Sequence, residues 1–428
     1  MKIFKYPDKN LWPEILKRPS KDFSELESIV QEVFEQIKNE GDKALLNFTK
    51  KFDGVNLQEI EVSKEEIENA ERLVSEQLKA AIQLAKNNIR KFHSSQAIKE
   101  EEIETIEGVR CWRKAVPIDK VGLYIPGGTA PLFSTVLMLG IPAKIAGCKE
   151  IILCTPPNVN GEIHPAILYT ASLIGINKIY KLGGTQAIGA MHLGTECVPK
   201  VYKIFGPGNQ YVTAAKQVAN KFGTAIDMPA GPSEVLIVAD QTANPAYVAA
   251  DLLSQAEHGA DSQVLLITYH EKLIEEVEKE LSKQLEVLPR RDIANEALEN
   301  SRTILVKDQE EALEIINEYA PEHLIVSNED ENFFVEHVKN AGSVFLGNYT
   351  PESAGDYASG TNHTLPTNGF AKAYSGVSLD SFLKKITFQR ISEQGISKLG
   401  PAIEVMAEAE ELMAHKNAVS IRLKDLNF

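Results

Sequence analysis

Residues 121–155 read VGLYIPGGTAPLFSTVLMLGIPAKIAGCKEIILCT, and this stretch predicts the fold of the region around it. It begins with an apolar, β-branched run at 121–125, passes through a glycine-rich loop into an apolar helical segment, and ends in a second such run at 151–154. Two strands joined by a helix form the unit from which parallel sheets are built. Because both runs are almost continuously apolar, we expect a sheet that is covered on both faces.

Similar runs recur along the chain in two groups. The first group comprises residues 121–125, 151–154, 178–182, 201–205 and 225–227, and the second comprises residues 235–239, 263–268, 303–306, 323–327 and 343–346. Within each group, helical stretches lie between successive predicted strands. The predicted fold class is therefore α/β, with two doubly wound, incomplete Rossmann-like parallel-sheet domains, a helical N-terminal segment and a small C-terminal tail domain.

The ends of the chain have helical patterns. Residues 24–38 place Leu26, Ile29, Val30, Val33, Phe34 and Ile37 on one stripe. The tail after residue 381 predicts a helix at 398–417 and a short strand at 418–423. The predicted segments are 1–20 (N-terminal segment), 21–120 (helices packing on the second α/β domain), 121–232 (first α/β domain), 233–380 (second α/β domain) and 381–428 (tail).

The composition excludes several classes of protein. Of the 428 residues, 43% are hydrophobic and 25% charged, as in soluble globular proteins. Lysine and arginine total 45 against 60 aspartates and glutamates, and the net charge of −15 disfavours nucleic acid as a partner. Proline and lysine interrupt the most apolar stretch, 130–148, which disfavours a membrane span, and the N-terminus lacks the apolar core of a signal peptide. Four cysteines without a C-x-x-C pair indicate reduced thiols, so we expect a cytoplasmic protein.

Three glycine-rich loops follow predicted strands of the first domain: 124–131 (YIPGGTAP), 182–188 (LGGTQAI) and 205–210 (FGPGNQ). Each precedes a helical stretch, where backbone N–H groups could bind a phosphate. Ordinary turns between a strand and a helix also need glycine, and no G-x-G-x-x-G motif follows any predicted strand. Together the loops favour a phosphate-bearing ligand. In both domains we expect the chemistry beyond the carboxyl ends of the strands.

Side chains suited to a metal ion lie in loops and at helix ends of the later chain. Imidazole nitrogen, carboxylate oxygen and amide oxygen can together bind zinc, which makes a chemically sensible set of Gln255, His258, Asp356 and His415. Gln255 and His258 are three residues apart and share a helix face. Taken singly, each histidine is more often a structural residue than a ligand. The other histidines without convergent partners are interpreted as structural: His93, His164, His192, His270 and His337.

The chain resembles the histidinol dehydrogenase family. The similar blocks run in order along almost the whole chain and include VGLYIPGGTAPLFSTVLML (121–139), KLGGTQAIGAM (181–191), FGPGNQYV (205–212), DLLSQAEHGADSQ (251–263), YAPEHL (319–324), GDYASGTNHTLPT (355–367) and AHKNAVSIR (414–422). The resemblance implies a zinc-dependent enzyme that oxidises L-histidinol through the aldehyde to L-histidine with two NAD⁺, in histidine biosynthesis. It also implies a homodimer in which the tail of one subunit reaches into the site of the other.

The resemblance also assigns residues. It implies zinc ligands at Gln255, His258, Asp356 and His415. It implies NAD contacts in the first α/β domain at Tyr124, Gln186 and Asn209. It implies contacts to the substrate at Ser233, Gln255, His258, Glu322, His323, Asp356, His363, Glu410 and His415. Helical spacing alone would instead pair Glu411 with His415.

The chemistry explains the catalytic residues that the resemblance implies. An alcohol loses hydride only as its O–H proton leaves, and His323 is the implied base. Glu322 is the expected activator of the water that hydrates the aldehyde before the second oxidation. A thiohemiacetal on Cys111 or Cys148 is the alternative, but neither has a nearby histidine to lower its pKa.

Two other functions are compatible with parts of the sequence. One is a related dehydrogenase of another polar alcohol, such as a sulfonated diol. The other is a metal-binding or regulatory protein without catalysis. The retained Glu322 and Glu410 favour histidinol over the first, and the adjacent Glu322–His323 pair argues against the second.

Overall fold

The computed structural model describes residues 1–19, 23–127 and 130–426. It comprises two compact units. The first contains Met1–Ser95 and Ile118–Ser381, and the second contains Gln96–Pro117 and the chain from Phe382 onward.

The strands are β1 Lys2–Lys5, β2 Glu102–Ile106, β3 Val109–Pro117, β4 Lys120–Tyr124, β5 Glu150–Thr155, β6 Lys178–Lys181, β7 Lys203–Phe205, β8 Ala225–Ile226, β9 Glu234–Ala239, β10 Gln263–Thr268, β11 Arg302–Leu305, β12 His323–Ser327, β13 Ser343–Leu346 and β14 Leu383–Ile391.

The α-helices are α1 Trp12–Ile15, α2 Phe23–Glu40, α3 Asp42–Phe48, α4 Lys64–Leu73, α5 Glu76–Ser94, α6 Phe133–Ala146, α7 Pro165–Leu173, α8 Gly184–Leu193, α9 Gln210–Lys221, α10 Pro245–Ala256, α11 Glu271–Val287, α12 Arg291–Glu299, α13 Gln309–Tyr319, α14 Glu331–His337, α15 Glu352–Tyr357, α16 Glu393–Ala409 and α17 Met413–Leu426.

The first unit is built on two parallel sheets. The first sheet has five strands in the order β6-β5-β4-β7-β8, and the second sheet has six in the order β1-β11-β10-β9-β12-β13. All neighbouring strands in both sheets are parallel. Each of the ten predicted runs overlaps one of these strands, so the predicted α/β fold class is confirmed. The edge strand β1, which pairs with β11, was not predicted.

Alternating side chains of β9 show why these strands are apolar throughout. Val235, Ile237 and Ala239 enter a core on one face of the second sheet. Leu236 and Val238 enter a separate core on the other face, with α1 and α13. Every residue of β9 is buried because helices cover both faces.

Helix α2 packs on the first sheet, whereas the sequence prediction placed residues 21–120 on the second α/β domain. The apolar stripe of α2 lies against α8 and α9, and its predicted members are buried except Ile29. Gly189 on α8 permits this approach, since a Cβ there would lie 2.7 Å from Ile37 Cδ1 and 3.0 Å from Phe34 Cδ1. The apolar surface that receives the stripe thus belongs to the first domain.

The second unit differs most from the sequence-based prediction. β14, β3 and β2 form a three-stranded antiparallel sheet, so the later part of the predicted helical segment 21–120 contains strands. The strand predicted at 418–423 is wrong, because these residues lie inside α17 and no neighbouring strand pairs with them among the described residues. The helix predicted at 398–417 is interrupted after Ala409, where Glu411 adopts a left-handed conformation with φ of 59°.

We find no helix in the described ranges that combines the length and apolar character needed to cross a bilayer.

Candidate functional site

A cleft of about 880 Å³ lies between the two sheets of the first unit. Loops that follow β4 and β7 line it from the first sheet, including Gly206 and Asn209. Segments that precede β9, β10 and β12 line it from the second sheet, including Ser233, His258 and Glu322. The cleft therefore joins the carboxyl edge of the first sheet to the amino edge of the second. The expectation of chemistry at the carboxyl edge of both sheets is wrong for the second.

Glu322 and His323 lie at the start of β12, where the backbone of Glu234 on β9 contacts both. The Glu234 N–H donates to Glu322 Oε2 over 2.9 Å, and the Glu234 carbonyl lies 3.2 Å from His323 Nδ1. A proton on Nδ1 satisfies that carbonyl and leaves Nε2 as the acceptor nitrogen. Among the described residues, Nε2 has no hydrogen-bond partner.

Carboxylates surround the His323 ring. Asp356 Oδ1 lies 3.6 Å from Nε2, and Glu322 Oε2 lies 3.6 Å from Nδ1. Burial lowers the pKa of His323, but the negative charges of Glu352, Glu322 and Asp356 outweigh it and raise the pKa to about 10. A cation bound among these carboxylates would cancel that attraction and favour the neutral imidazole.

Burial raises the pKa of Glu322 to about 8. Glu322 is only 7% exposed, and its Oε2 also accepts from Gln255 Nε2 at 3.3 Å. A carboxyl group with such a pKa can accept or return a proton near neutral pH. Gln255 is 1% exposed, so the structure brings it directly against the Glu322–His323 pair.

The short helix α15 carries Asp356 and a residue that the sequence reasoning missed, Glu352. The two are four residues apart and share one helix face. Ligand atoms of His258, Glu352 and Asp356 all lie within 4.8 Å of one another. Burial acts to raise the pKa of Asp356, yet the contact with His323 lowers it overall. The i, i+4 pair of acids was the signal that could have revealed Glu352.

His363 closes the neighbouring side of the cleft. Its Nδ1 lies 2.9 Å from the Asp356 carbonyl, and its Nε2 lies 3.0 Å from Thr135 Oγ1 on α6. The ring therefore joins the loop after α15 to a helix of the first sheet. His363 and Ser233 are both half-buried and both line the cleft.

The glycine-rich loops meet at the carboxyl edge of the first sheet. The Gly184 N–H donates to the Tyr124 hydroxyl at 3.0 Å, which joins the first two loops. Gly206 has φ of 134°, and a Cβ there would lie 2.1 Å from the Tyr124 carbonyl oxygen. Asn209 caps α9 by accepting from two backbone N–H groups and is itself exposed. Residues 128 and 129 of the first loop lie outside the described residues.

Gln186 is held by a second residue that the sequence reasoning missed. Its Nε2 donates to Asp53 Oδ2 at 3.2 Å, and Gln186 is 1% exposed. Burial raises the pKa of Asp53 to about 6. Asp53 belongs to the N-terminal helical region, whose position against the first sheet could not be read from the sequence.

Glu410 and His415 belong to the second unit. Glu410 is the C-cap residue directly after α16, His415 lies in the first turn of α17, and both residues are exposed. Glu411, the residue favoured by helical spacing, lies between the two helices.

The cysteines do not offer a reactive thiolate at the cleft. Burial raises the pKa of Cys148 to about 11 and that of Cys197 to about 12, and Cys154 is fully buried. Cys111 lies in β3 of the second unit. No cysteine is among the described residues that line the cleft.

Comparison with known proteins gives one consistent family. The sequence model of the histidinol dehydrogenase family matches residues 16–423. A histidinol dehydrogenase of Bacteroides thetaiotaomicron is 64% identical over 426 residues, with 100% of each chain covered. One of Haemophilus influenzae is 52% identical, covering 97% of this chain and 96% of its own.

The fold agrees with a solved structure. The crystal structure of histidinol dehydrogenase from Elizabethkingia anophelis superposes with a TM-score of 0.98 at 61% identity. That match covers 100% of this chain and 99% of the other.

Proposed function

The chain belongs to the histidinol dehydrogenase family, and from this premise we propose that it oxidises L-histidinol through L-histidinal to L-histidine. Two NAD⁺ accept the two hydrides, and a zinc ion is bound in the cleft. The reaction is a step of histidine biosynthesis.

One observation carries this proposal. The buried Glu322–His323 pair lies at the cleft with His323 Nε2 unpartnered among the described residues. His323 Nε2 and the neighbouring Glu322 carboxyl group, whose pKa is about 8, are the two proton acceptors that a two-step oxidation needs. A scaffold protein without catalysis would have no functional reason to bury these ionisable groups, because their burial destabilises the folded state.

The donor set fits a zinc ion. Gln255, His258, Asp356 and His415 would hold it, with imidazole, carboxylate and amide donors that zinc accepts. Among the described residues, the Glu352 oxygens and His323 Nε2 have no hydrogen-bond partner, which supports the binding of a cation in this cluster. When bound, the ion supplies a template that orients the substrate's imidazole and amine.

The glycine-rich loops fit NAD⁺. Tyr124, Gln186 and Asn209 would contact it, and the exposed Asn209 at the start of α9 adjoins a helix N-terminus suited to a pyrophosphate. The absence of a side chain at Gly206 lets the third loop approach the Tyr124 carbonyl closely, and Gly206 itself lines the cleft. When bound, NAD⁺ supplies the hydride acceptor.

The chain's own groups move the protons. In the first oxidation, His323 Nε2 takes the hydroxyl proton of histidinol while the carbinol C–H bond breaks; NAD⁺ would accept the hydride, leaving an aldehyde. Glu322 then takes a proton from water as the water oxygen adds to the aldehyde carbon, and His323 returns its proton to the former carbonyl oxygen, which gives the hydrate. The hydrate loses its O–H proton to the freed His323 Nε2, and a second NAD⁺ would accept its hydride, leaving the carboxylic acid. Ser233 and His363 line the cleft and would orient the substrate.

The second unit completes the site in a homodimer. Glu410 and His415 are exposed in the single chain. This is expected of residues that complete the site of a neighbouring subunit. Glu410 would bind the substrate, and His415 would bind the zinc ion and, with it, the substrate. The enzyme acts in the cytoplasm, without nucleic acid or membrane partners.

The test is NAD⁺ reduction by the purified enzyme. L-Histidinol and L-histidinal should both be oxidised, the activity should fall after chelation, and zinc should restore it. Dihydroxypropanesulfonate, a sulfonated diol, is the matched control substrate and should be inert. Oxidation of the diol without oxidation of histidinol would refute the substrate assignment. Zero turnover with a zinc-replete sample would refute catalysis.

A further inference from the structure

Glu352 is a buried acid on α15, one helical turn before Asp356, which lines the cleft. Glu352 is 1% exposed, and neither carboxylate oxygen has a hydrogen-bond partner among the described residues. Leaving a buried carboxylate unpaired costs several kcal/mol by order of magnitude. Burial and the neighbouring acids raise the pKa of Glu352 well above its usual range although His323 opposes this, so an ionised Glu352 needs a further cation.

The geometry of α15 directs Glu352 to a particular place. It lies one turn before Asp356, so both carboxylates are on the same face of the helix. Their oxygens and a ring nitrogen of His258 lie within 4.8 Å of one another. Zinc ligands lie ~2.0–2.2 Å from the ion, so an ion at the centre requires only small inward rotations of the three side chains.

Charge balance supports the same place. Asp356, Glu322 and Asp251 all place negative charge near Glu352, and His323 is the cationic group that acts on it. No lysine or arginine of the described residues forms an ion pair with Glu352. A divalent cation held by neutral Gln255 and His258 with Asp356 alone would keep one positive charge, which Glu352 neutralises.

We propose that, in the substrate-free enzyme, Glu352 is a further ligand of the metal ion, supplied with His258 and Asp356 by one chain. This inference rests on the proposed zinc dependence. It adds a residue that the family resemblance does not assign.

The test compares metal binding by wild-type enzyme and Glu352→Gln. Zinc affinity is measured by competition with a chromophoric chelator, and the ligand field by the visible absorption of the cobalt-substituted enzyme. We expect Glu352→Gln to weaken zinc binding on the order of 10- to 100-fold and to change the cobalt spectrum. The Tm of the metal-free variant should not fall, because the Glu352 carboxyl group makes no hydrogen bond among the described residues that the substitution could break.

Asp251→Asn is the matched control. It removes a neighbouring charge of the same cluster from a residue outside the group of three ligand atoms. It should change zinc affinity by less than roughly threefold. Equal losses in both variants would show that cluster charge, not ligation, is responsible, and would overturn the proposal.

Glu352→Asp is a second test variant, which is needed if Glu352→Gln does not fold. It keeps the charge but withdraws the oxygens by one methylene, so it should weaken zinc binding and alter the cobalt spectrum. Wild-type affinity and spectrum in either folded variant would overturn the proposal. Failure of the wild-type enzyme to bind zinc would instead refute the proposed zinc dependence.

Discussion

Arg18 forms the ion pair whose removal gives the sharpest test of the fold. Its guanidinium binds both carboxylate oxygens of Glu234, with Nε–Oε1 of 2.5 Å and Nη2–Oε2 of 2.9 Å. It also donates to the Tyr319 carbonyl and stacks 3.8 Å from the Tyr319 ring. The pair joins the N-terminal segment to β9 beside Glu322 and His323. We therefore choose Arg18→Met as the perturbation.

The expected loss follows from burial. The side chains of Arg18 and Glu234 are 15% and 2% exposed, so Arg18→Met leaves a nearly buried carboxylate unpaired. Removing one partner of a buried pair costs ~3–5 kcal/mol, and the partial exposure of Arg18 favours about 3 kcal/mol. Unfolding entropy for 428 residues is roughly 0.9 kcal/mol per kelvin. The Tm should therefore fall by roughly 3–4 °C.

The assay is thermal unfolding of three variants beside the wild type. Arg18→Met combined with Glu234→Gln should recover most of the loss, because no charge remains buried alone. Lys5→Met is the matched control. It removes an exposed ion pair, in which the side chains of Lys5 and Glu271 are 55% and 59% exposed, so it should leave the Tm unchanged. If the double variant were no more stable than Arg18→Met, the loss would not come from the unpaired charge and our reasoning would be refuted.

Three further predictions concern the cleft and its surroundings. Gly206→Ala should raise the KM for NAD⁺ at least tenfold with little change in that for histidinol, because its Cβ meets the Tyr124 carbonyl; equal changes in both constants would contradict this. The pKa of Asp53 is raised from 3.8 to about 6, so the folded state holds the proton more tightly and stability falls as pH rises through that window. Asp53→Asn should remove this fall and, with screening, be about 1 kcal/mol more stable than wild type at pH 7; parallel Tm–pH curves for the two proteins would refute it. Mixing a His415→Ala chain with a His323→Ala chain should restore partial NAD⁺ reduction, and inactive verified heterodimers would argue against a site shared between subunits.

The sequence predicted the parallel sheets well because their signal is local. A strand such as β9 is apolar at every position, and helical stretches flank it, so the pattern is complete within a short window. The pairing of β14 with β3 has no such signal. Leu383 lies opposite Pro117, so the partners are far apart in the chain and each strand alone looks irregular.

The site was predicted in the same uneven way. His258 and Asp356 could be proposed from their chemistry, and the structure brings them together. Glu352 was missed because a glutamate in an exposed-looking segment resembles any other surface acid until burial is known. The predicted strand at 323–327 already places Glu322 and His323 at its amino end, but no local pattern encodes that this edge shares one cleft with the carboxyl edge of the first sheet.

The edge strand β1 has a consequence for synthesis on the ribosome. Residues Lys2–Lys5 leave the ribosome long before their partners in β11, Arg302–Leu305. At bacterial elongation rates the wait is roughly 15–60 s. The first sheet, whose strands lie between Lys120 and Ile226, can form meanwhile. Lys2–Lys5 must therefore remain unpaired, and available to a chaperone, until β11 emerges and pairs with them at the edge of the second sheet.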